Sequence, residues 1–179
     1  MANFVFIATS LDGFIARPDG DIDWLMKIED IEGEDYGYED FISKIDAILM
    51  GRKTFDFAKS VQPFPYNKPV FVLSNTLTSI DSHLQDKVTI ISGTPKDVLG
   101  ILHNKGYSNI YVDGGETIQS FLRNNFIDEL TITRVPVLLG EGIPLFGKIS
   151  GDLHFQHIET KTFSNGLVSS RYLRILNSE

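Results

Sequence analysis

The chain has 179 residues, a formal net charge of −8, 42% hydrophobic residues and no cysteine. This length favours a single substantial core, so we predict one domain over residues 1–179. The acidic balance excludes general binding of nucleic acid, and the lack of cysteine excludes disulfides, thiolate metal sites and cysteine nucleophiles.

The N-terminal part begins with an apolar strand rather than a targeting segment. Residues 4–8 have the sequence FVFIA, which is typical of a buried strand, and residues 14–16 extend it after a turn at Asp12-Gly13. Neither a signal peptide nor a membrane span is predicted, and we expect a cytoplasmic protein. Residues 17–35 are rich in Asp, Glu and Gly, so a loop is predicted around an apolar island at Trp24.

Helix-like and strand-like segments alternate from residue 38 to residue 122. Apolar residues three and four positions apart predict the helices, and short β-branched or aromatic runs predict the strands. Thr94 followed by Pro95 marks a helix start, because threonine caps a first turn and proline fits its first position. The predicted helices begin at residues 38, 52, 95 and 115, and the predicted strands cover residues 46–50, 69–74, 88–92 and 110–112.

The last third changes from this alternation to consecutive strands. Residues 130–135, 153–163 and 167–176 are strand-like, and Ser164-Asn165-Gly166 forms a hairpin-type turn between the last two. Strand–helix alternation favours a parallel sheet, to which the hairpin adds an antiparallel edge. We therefore predict an α/β three-layer sandwich, with a mixed, mostly parallel, twisted sheet, helices on both faces and an antiparallel C-terminal hairpin.

Four predicted strands end in turn residues that suit a phosphate-bearing ligand. These segments are 51–54 (GRKT), 74–76 (SNT), 92–94 (SGT) and 113–115 (DGG). The carboxyl ends of parallel strands lie along one rim, and ligands bind outside it. The two cations and the hydroxyl of GRKT suit a phosphate, and four such segments together suit a dinucleotide. Each segment alone is equally typical of a solvent-facing turn.

The double glycine at residues 114–115 stands between a strand and an amphipathic helix. Helix N-termini leave N–H groups unpaired, and glycines let a phosphate approach the backbone. The alternative is a common Gly-Gly turn in which Glu116 satisfies the helix N-terminus itself. No GxGxxG follows the first strand and no GxxxxGK[ST] loop is present, so neither a Rossmann dehydrogenase nor a P-loop enzyme is predicted.

No metal site is predicted. The four histidines are scattered, and His154 and His157 would point to opposite faces of a strand. The aspartate-rich run at residues 19–23 lacks the remaining ligands of a calcium loop.

Taken together, the motifs resemble the dihydrofolate-reductase-like superfamily. The strongest likeness is to the C-terminal reductase domain of bifunctional riboflavin-biosynthesis deaminase-reductases. The order and spacing match over nearly the whole chain, and without a zinc deaminase half the chain is similar to free-standing members. The segments that carry the resemblance are ATSLDGFIA, DAILMGRKTF, PVFVLSNT, YVDGGETIQSFL and DELTITRVPVLLGEGIPLF.

The resemblance implies that NADP is the cofactor and that it lies along the rim. Ala8 and Ile15 would lie against the nicotinamide, and GRKT would bind the pyrophosphate and the adenosine phosphate. Residues 73–75 would hold the adenine and the ribose 2′-phosphate, and the double glycine, joined by a cis peptide, would wrap the pyrophosphate. The implied cofactor residues are Ala8, Ile15, Gly51, Arg52, Lys53, Thr54, Leu73, Ser74, Asn75, Gly93, Val112, Gly114, Gly115, Glu116, Thr117 and Ile118.

The proton donor remains open among three carboxylates. Reduction of a pyrimidine, a pterin or an opened ribose imine needs a donor near the accepting atom. The resemblance places a carboxylate shortly after the family tryptophan, which Trp24 matches, and Glu29 lies at that offset. Asp12 in the SLDG motif and Asp23 are rivals, and Asp12 equally suits a turn cap. Thr133 matches a family threonine that contacts the substrate ring through water.

We therefore predict an NADPH-dependent reductase of a small heterocyclic metabolite, of the 5-amino-6-(5-phosphoribosylamino)uracil reductase type. The alternatives are a dihydrofolate reductase and, from another class, an NADP-binding module without turnover. The resemblance also implies a homodimer. The apolar segment 135–146, which prolines and glycines interrupt, would either fold back over the core or cover a partner chain.

Overall fold

The computed structural model describes residues 1–175 and contains one large sheet flanked by helices. The helices are α1 (Asp23–Met26), α2 (Tyr38–Ser43), α3 (Arg52–Ala58), α4 (Pro95–Asn104) and α5 (Gly115–Arg123), with a 3₁₀ turn at Ser82–Leu84. The strands are β1 (Ala2–Thr9), β2 (Phe14–Ala16), β3 (Ala47–Gly51), β4 (Val70–Leu73), β5 (Val88–Ile91), β6 (Asn109–Asp113), β7 (Glu129–Arg134), β8 (Ile143–Pro144), β9 (Phe155–Thr162) and β10 (Val168–Arg174).

Eight strands form the main sheet in the order β5-β4-β3-β6-β1-β7-β10-β9. Every neighbouring pair from β5 to β7 is parallel, whereas β10 is antiparallel to both β7 and β9. Parallel strands need crossover connections, and here helices supply them on both faces. The predicted mixed, mostly parallel sheet with an antiparallel C-terminal hairpin is therefore confirmed.

Side chains alternate along the strands and form two separate apolar layers. On one face, Val112 of β6 belongs to a cluster with Phe121 of α5, and both are fully buried. On the other face, Met50 of β3 packs in a cluster with Phe41 of α2 and Phe55 of α3. A sheet with helices on both faces is the predicted three-layer sandwich.

Helix α4 begins where the sequence predicts, because its first turn has a capping box. The Asp97 N–H donates to Thr94 Oγ1 at 3.3 Å, and the Thr94 N–H donates to Asp97 Oδ2 at 3.1 Å. Pro95 occupies the start of the helix, where no N–H partner is needed. Two otherwise unpaired N–H groups are thereby satisfied by local sequence alone.

The predicted loop over residues 17–35 contains a short helix that the sequence pattern misses. Helix α1 forms there and leaves Trp24 only 4% exposed. The ring packs with Val135 and Leu167 in a third apolar cluster, so distant residues stabilise this helix. At the other end of the chain, Leu176 of the last predicted strand lies outside the described residues.

The apolar segment 135–146 folds back onto its own chain through the SLDG turn. The Asp12 carboxylate accepts the N–H groups of Leu139 and Gly140 at 3.1 and 2.8 Å, and β8 pairs with β2. Leu145 is fully buried as a result, whereas Leu138 is 70% exposed. The segment therefore contributes to its own core, and the apolar side chains of Leu138 and Phe146 are left on the surface.

The helices are short, and α4 extends over ten residues. Within residues 1–175, no helix combines the length and apolar character needed to cross a membrane. The organisation of residues 1–179 as one domain stays a prediction.

Candidate active site

The carboxyl ends of β3 and β6 bring the GRKT segment and the double glycine together. These strands are neighbours in the sheet. A β-carbon on Gly114 would collide with Thr54 Oγ1, and one on Gly51 would lie 2.9 Å from Thr117 Oγ1. Two of the four predicted segments therefore touch each other, and glycine is what allows the contact.

Charged and hydroxyl side chains line this rim. Lys53 of α3 forms an ion pair with Glu116 of α5 at 2.9 Å, with both side chains at least 80% exposed. Arg52 donates to Thr76 Oγ1 at 3.2 Å, and Ser74 Oγ accepts the Thr76 N–H at 3.2 Å. The turn after β4 therefore joins the same rim. We refer to the residues of the GRKT and SNT segments, with Gly114, Gly115 and Glu116, as the cofactor rim.

The double glycine forms the turn at the start of α5. Gly114 has a φ of 88°, and its N–H donates to the Asp113 carboxylate at 2.8 Å. The implied cis peptide is wrong, because the only cis peptide within residues 1–175 precedes Pro63. The turn at the double glycine is made with a left-handed torsion at Gly114 instead. No side chain of residues 1–175 caps α5, since Glu116 pairs with Lys53, so the first N–H groups of the helix are open to an anion.

Gly115 packs closely against the SLDG loop even in the absence of a ligand. A β-carbon at this position would lie 2.6 Å from Cδ1 of Ile15. Ile15, the implied nicotinamide contact, therefore lies directly against the glycine turn. Ala8, its implied companion, is half-buried near the carboxyl end of β1.

The remaining implied cofactor residues differ in what they can offer a ligand. Val112 and Ile118 are fully buried, so their side chains belong to the core and only their backbones can contribute. Leu73 is half-buried and Asn75 is exposed, both at the end of β4. Gly93 follows the edge strand β5 and packs against the capping box of α4.

Two of the three candidate proton donors are engaged in structural contacts. Asp12 accepts a hydrogen bond from Ser10 Oγ at 2.6 Å, which, with its backbone partners, lowers the pKa of Asp12. Asp23 forms ion pairs with Arg17 and Lys27, and these hold the pKa of Asp23 well below its usual range. These contacts favour the ionised form of both carboxylates.

The other two predicted catalytic residues, Glu29 and Thr133, differ in exposure. Glu29 is exposed on a loop, and its side chain has no hydrogen-bond partner among the 175 described residues, although its carbonyl accepts from Asn165. Thr133 of β7 is 7% exposed and pairs in register with Ala8 of β1. Because paired residues on adjacent strands point to the same face, Thr133 lies beside the implied nicotinamide contact.

A desolvated carboxyl that the sequence analysis did not select lies at the end of β6. Asp113 accepts a hydrogen bond from the Tyr66 hydroxyl at 3.2 Å, and the nearby Tyr111 hydroxyl donates to the Phe6 carbonyl at 2.9 Å. Burial raises the pKa of Asp113, although hydrogen bonds from Gly114 and the tyrosines act in the opposite direction. Burial and the Asp113 charge raise the pKa of Tyr66 and Tyr111 as well.

Aromatic rings pack against one another beside this carboxyl, on the α2 face of the sheet. Phe6 stacks on Phe41 with ring centroids 4.7 Å apart, and it meets Tyr38 edge-on at 5.8 Å. Phe41 also meets Tyr111 edge-on at 5.0 Å. We define these residues as the aromatic cluster: Phe6, Tyr38, Phe41, Tyr66, Tyr111 and Asp113.

The sequence contains one signal for this cluster. Asp113 directly precedes the double glycine at a predicted strand end, which is where ligand-binding residues concentrate. Tyr66 lies in a loop without a periodic pattern, and the spacing around Tyr38 predicts only a core-facing helix residue. Neither tyrosine could be connected to Asp113 before the fold was known.

The rim and the cluster have different chemical capacities. The rim offers cations, hydroxyls and free helix N–H groups, which suit phosphates. The cluster offers flat apolar surface and a carboxyl whose raised pKa favours the protonated form, which suits a heterocycle that must receive a proton. Asp113 and Gly114 are consecutive, so the two sites adjoin.

Comparisons with known proteins identify the family of the chain. The family model described as the RibD C-terminal domain matches residues 4–169. A solved structure from Shewanella sp. PV-4, assigned provisionally to riboflavin biosynthesis, is 44% identical with a TM-score of 0.93, over 98% of this chain and 100% of that chain. The uncharacterized protein YwjB of Bacillus subtilis strain 168 is 38% identical over 174 residues, which are 95% of this chain and 96% of YwjB.

A more distant solved structure shares only the fold. Dihydrofolate reductase from Enterococcus faecalis, in complex with NADP(H), is 16% identical with a TM-score of 0.65, over 97% of this chain and 96% of that chain. The family model covers most of the present sequence, so the resemblance drawn from its motifs is confirmed. The chain belongs to the RibD C-terminal domain family and has the dihydrofolate-reductase-like fold.

Proposed function

We propose that the protein is an NADP-dependent oxidoreductase that reduces a small heterocyclic metabolite, of the ribosylaminopyrimidine type found in riboflavin synthesis. Membership of the family supports a reductase of the riboflavin pathway. The observation that carries the proposal is the adjacency of the cofactor rim to Asp113, a desolvated acid among aromatic rings. A reductase needs a cofactor site and a proton source side by side.

The chemistry of the rim fits the phosphates of NADPH. Arg52 and Lys53 supply positive charge, Ser74 and Thr76 supply hydroxyls, and the uncapped start of α5 supplies backbone donors. We assign the pyrophosphate to the glycine turn and the 2′-phosphate to the end of β4. When bound, the dinucleotide supplies the hydride, and the protein supplies orientation and a dry pocket.

The chain's own residues hold the proton and the substrate ring. We assign the role of proton donor to Asp113 at the end of β6, whose pKa burial raises, and Tyr66 orients its carboxyl through their hydrogen bond. Thr133, next to Ala8 in register, provides a buried hydroxyl for the ring. Asp12 ties the SLDG turn to residues 139–140 and thereby fixes the loop that carries Ile15. Asp23 and Glu29 are the rival proton donors, and the kcat values of their variants distinguish them from Asp113.

Two other functions are compatible with the same crevice. A dihydrofolate reductase would use the aromatic cluster for a pterin ring, and a non-catalytic NADP-binding module would use only the rim. Turnover separates the module from both enzymes, and the choice of substrate separates the enzymes from each other. We further propose a homodimer in the cytoplasm. The exposed side chains of Leu138 and Phe146 support self-association.

The decisive experiment measures NADPH oxidation with two substrates in parallel. The substrates are 5-amino-6-(5-phosphoribosylamino)uracil and dihydrofolate, each with NADPH and with NADH. We expect turnover of the aminopyrimidine with preference for NADPH. Turnover of dihydrofolate alone would support the first rival, and tight NADPH binding without any oxidation would support the second.

A further inference from the structure

The turn between β9 and β10 contains a chemically reactive dipeptide, Asn165-Gly166. Nowhere else in the 179-residue sequence does glycine directly follow asparagine. Gly166 is exposed and has a φ of 86°, and Asn165 is half-buried. Because glycine has no side chain, its backbone nitrogen is open to attack on the preceding asparagine. Asparagine followed by glycine is therefore the sequence in which the side-chain amide is lost most readily.

The side chain of Asn165 joins this turn to residues 17–37, which we call the acidic loop. The acidic loop has eight acidic and two basic residues, a net charge of −6. Asn165 Nδ2 donates to the Glu29 carbonyl and to the Tyr36 hydroxyl, both at 3.0 Å, and Oδ1 accepts the Leu167 N–H at 3.3 Å. Both amide protons therefore bind the acidic loop.

No other hydrogen bond within residues 1–175 connects the acidic loop to the β9–β10 hairpin. Apolar contacts accompany these bonds. Phe163 meets Tyr36 edge-on with ring centroids 5.1 Å apart, and Leu167 shares a cluster with Trp24 of the acidic loop. Ala8, the implied nicotinamide contact, packs against the same cluster. The amide of Asn165 thus fixes a loop that supports one wall of the candidate active site.

Loss of this amide requires only water and a base. The base removes the proton of the Gly166 backbone nitrogen, which then attacks Cγ of Asn165. A C–N bond forms, the side-chain nitrogen leaves as ammonia, and a five-membered succinimide remains. Water opens the ring at one of its two carbonyls and leaves a carboxylate, as aspartate or as isoaspartate. The net reaction exchanges the amide nitrogen for an oxygen of water, and nothing is oxidised or reduced.

The folded structure opposes this reaction as long as the acidic loop is in place. The Gly166 N–H donates to the Phe163 carbonyl at 3.0 Å, and three hydrogen bonds hold the Asn165 side chain. To reach the Gly166 nitrogen, Cγ must turn away from the loop and break those bonds. Local opening of the loop, which proteins undergo without global unfolding, therefore precedes the attack.

The product cannot hold the loop as the amide does. A carboxylate has no N–H group, so it has nothing to donate to the carbonyl oxygen of Glu29. The Tyr36 hydroxyl lies 3.3 Å from Asp30 Oδ1, so this single hydroxyl separates the new charge from the Asp30 carboxylate. Two carboxylates at such a distance repel each other, and the net charge of the acidic loop adds to the repulsion.

We propose that Asn165-Gly166 is a deamidation site whose reaction releases the acidic loop from the β9–β10 hairpin permanently. Opening of the loop exposes the amide to attack, and the carboxylate that results prevents the loop from closing again. The proposal goes beyond the proposed function and does not depend on the identity of the substrate. It makes the turn after β9 a modification site that records how often the acidic loop opens.

The rate of deamidation tests whether the loop protects the site. Peptide mapping by mass spectrometry follows the protein during storage at mildly alkaline pH. Tyr36→Phe removes one acceptor of the amide, so deamidation of Asn165 should accelerate roughly two- to tenfold, the factor for one lost hydrogen bond. Tyr107→Phe is the matched control, because the Tyr107 hydroxyl has no hydrogen-bond partner among residues 1–175. The exposed Asn104, which precedes Lys105, is the internal control.

Equal rates in the wild type and Tyr36→Phe overturn the proposed protection by the loop. Deamidation of Asn165 no faster than that of Asn104 in the Tyr36→Phe variant overturns the site itself.

Trypsin cleavage after Lys27, an exposed residue of the acidic loop, tests the consequence. Asn165→Asp reproduces the aspartate product, and cleavage after Lys27 should be about tenfold faster than in the wild type, because two hydrogen bonds to the loop are lost. Cleavage after Lys105, outside the loop, should not change. Stored wild-type protein that has gained a negative charge, isolated by ion exchange, gives the same readout without a substitution. Unchanged cleavage after Lys27 in both samples overturns the proposal.

Discussion

The cofactor rim and the aromatic cluster adjoin each other, but they are assembled in opposite ways. The rim consists of three contiguous segments, each placed directly after a parallel strand, and its Lys53–Glu116 pair is exposed. The cluster combines residues that are separated in the sequence, from β1, α2, β6 and the loop before β4, and its carboxyl group is desolvated. The rim is therefore suited to a charged, exchangeable cofactor. The cluster is suited to binding a heterocyclic ring and transferring a proton to it.

This difference also determines where mutations should act. Exposed ion pairs contribute little to stability, so variants of the charged rim residues should change binding and leave the fold intact. Changes in the cluster should alter the chemical step, because desolvation controls the protonation of Asp113. Each of the following tests either separates the two regions or shows that they act as one.

The largest effect is expected for Asp113→Asn. Removal of a general acid costs about 10²–10⁴-fold in rate, so kcat should fall by that factor while the dissociation constant of NADPH stays unchanged. Steady-state kinetics and fluorescence titration of the cofactor measure the two quantities. A loss of cofactor binding in this variant would mean that Asp113 belongs to the rim and not to the cluster.

The rival donors provide the controls for that experiment. Glu29→Gln and Asp23→Asn should retain kcat within about threefold if Asp113 is the acid, since surface changes away from the site have small effects. Tyr66→Phe should give an intermediate loss, because it removes only the hydrogen bond that orients the carboxyl. A larger loss in Glu29→Gln than in Asp113→Asn would return the role to Glu29.

The sequence predicts the rim better than the cluster for a physical reason. GRKT and the double glycine are local patterns, and parallel strands bring their carboxyl ends to one edge whatever the details of packing. The contact of Tyr66 with Asp113 joins residues 47 positions apart and depends on the path of an irregular loop. No periodicity encodes such a path, so that contact could not be predicted.

The same reasoning explains where the predicted elements agree with the observed fold and where they do not. Strands β3 to β6 and helix α4 follow their patterns closely, because apolar runs and a capping box are local signals. Helix α1 is missed because Trp24 is held by Val135 and Leu167, more than 100 residues away. The fold-back of residues 135–146 likewise depends on Asp12, whose role as a cap for Leu139 requires the folded chain.

A second large effect is expected for Arg52→Ala. Loss of a guanidinium contact to a phosphate should weaken NADPH binding by roughly 1.5–3 kcal/mol. The unfolding transition should stay unchanged, because the contacts of Arg52 with Thr76 and Asp56 lie at the surface. Arg123→Ala, at the other end of α5, is the matched control. Equal dissociation constants for wild type and Arg52→Ala would remove Arg52 from the cofactor site.

A smaller effect on NADPH binding is expected for Gly115→Ala, and the structure gives two possible causes for it. The new methyl group would meet Ile15 Cδ1, and overpacking of this kind costs about 1–3 kcal/mol of stability. It would also stand in the path of a phosphate at the start of α5. Comparing Gly115→Ala in the wild-type and Ile15→Ala backgrounds separates the two, because Ile15→Ala removes the clash.

In the Ile15→Ala background, we expect Gly115→Ala to change the free energy of unfolding little and still to weaken NADPH binding. Urea denaturation and fluorescence titration measure these quantities on the same samples. If Gly115→Ala leaves cofactor affinity unchanged in that background, the glycine serves packing alone and the double glycine is only a structural turn.

Asp113 also predicts how stability depends on pH. The pKa of Asp113 in the folded state lies above its ordinary value of 3.8, so the folded state binds a proton more tightly than the unfolded state. This contribution to stability is complete below pH 3.8 and is lost as pH rises through the folded-state pKa. Asp113→Asn removes it, so the stability of the variant relative to wild type should rise with pH across that window. Urea denaturation at several pH values tests this, and a constant difference contradicts it.

The smallest effect on the folded chain is expected for Leu138→Glu, which tests the proposed homodimer. Leu138 is 70% exposed, so the substitution should change the free energy of unfolding by no more than about 0.5 kcal/mol. Under twofold symmetry the same patch meets its counterpart, so each dimer would acquire two facing charges. Leu139 is a poorer probe, because its half-buried side chain packs on the Trp24 cluster.

Sedimentation velocity should give twice the chain mass for the wild type and a shift toward monomer for Leu138→Glu. Met26→Glu is the matched control: Met26 is 68% exposed on α1, and the substitution adds the same charge outside segment 135–146. A shift toward monomer in both variants would point to net charge rather than to a specific interface. A monomeric wild type at high concentration would contradict the dimer. The assignment of the cofactor rim does not depend on that result, because the contacts that define it join residues of the same chain.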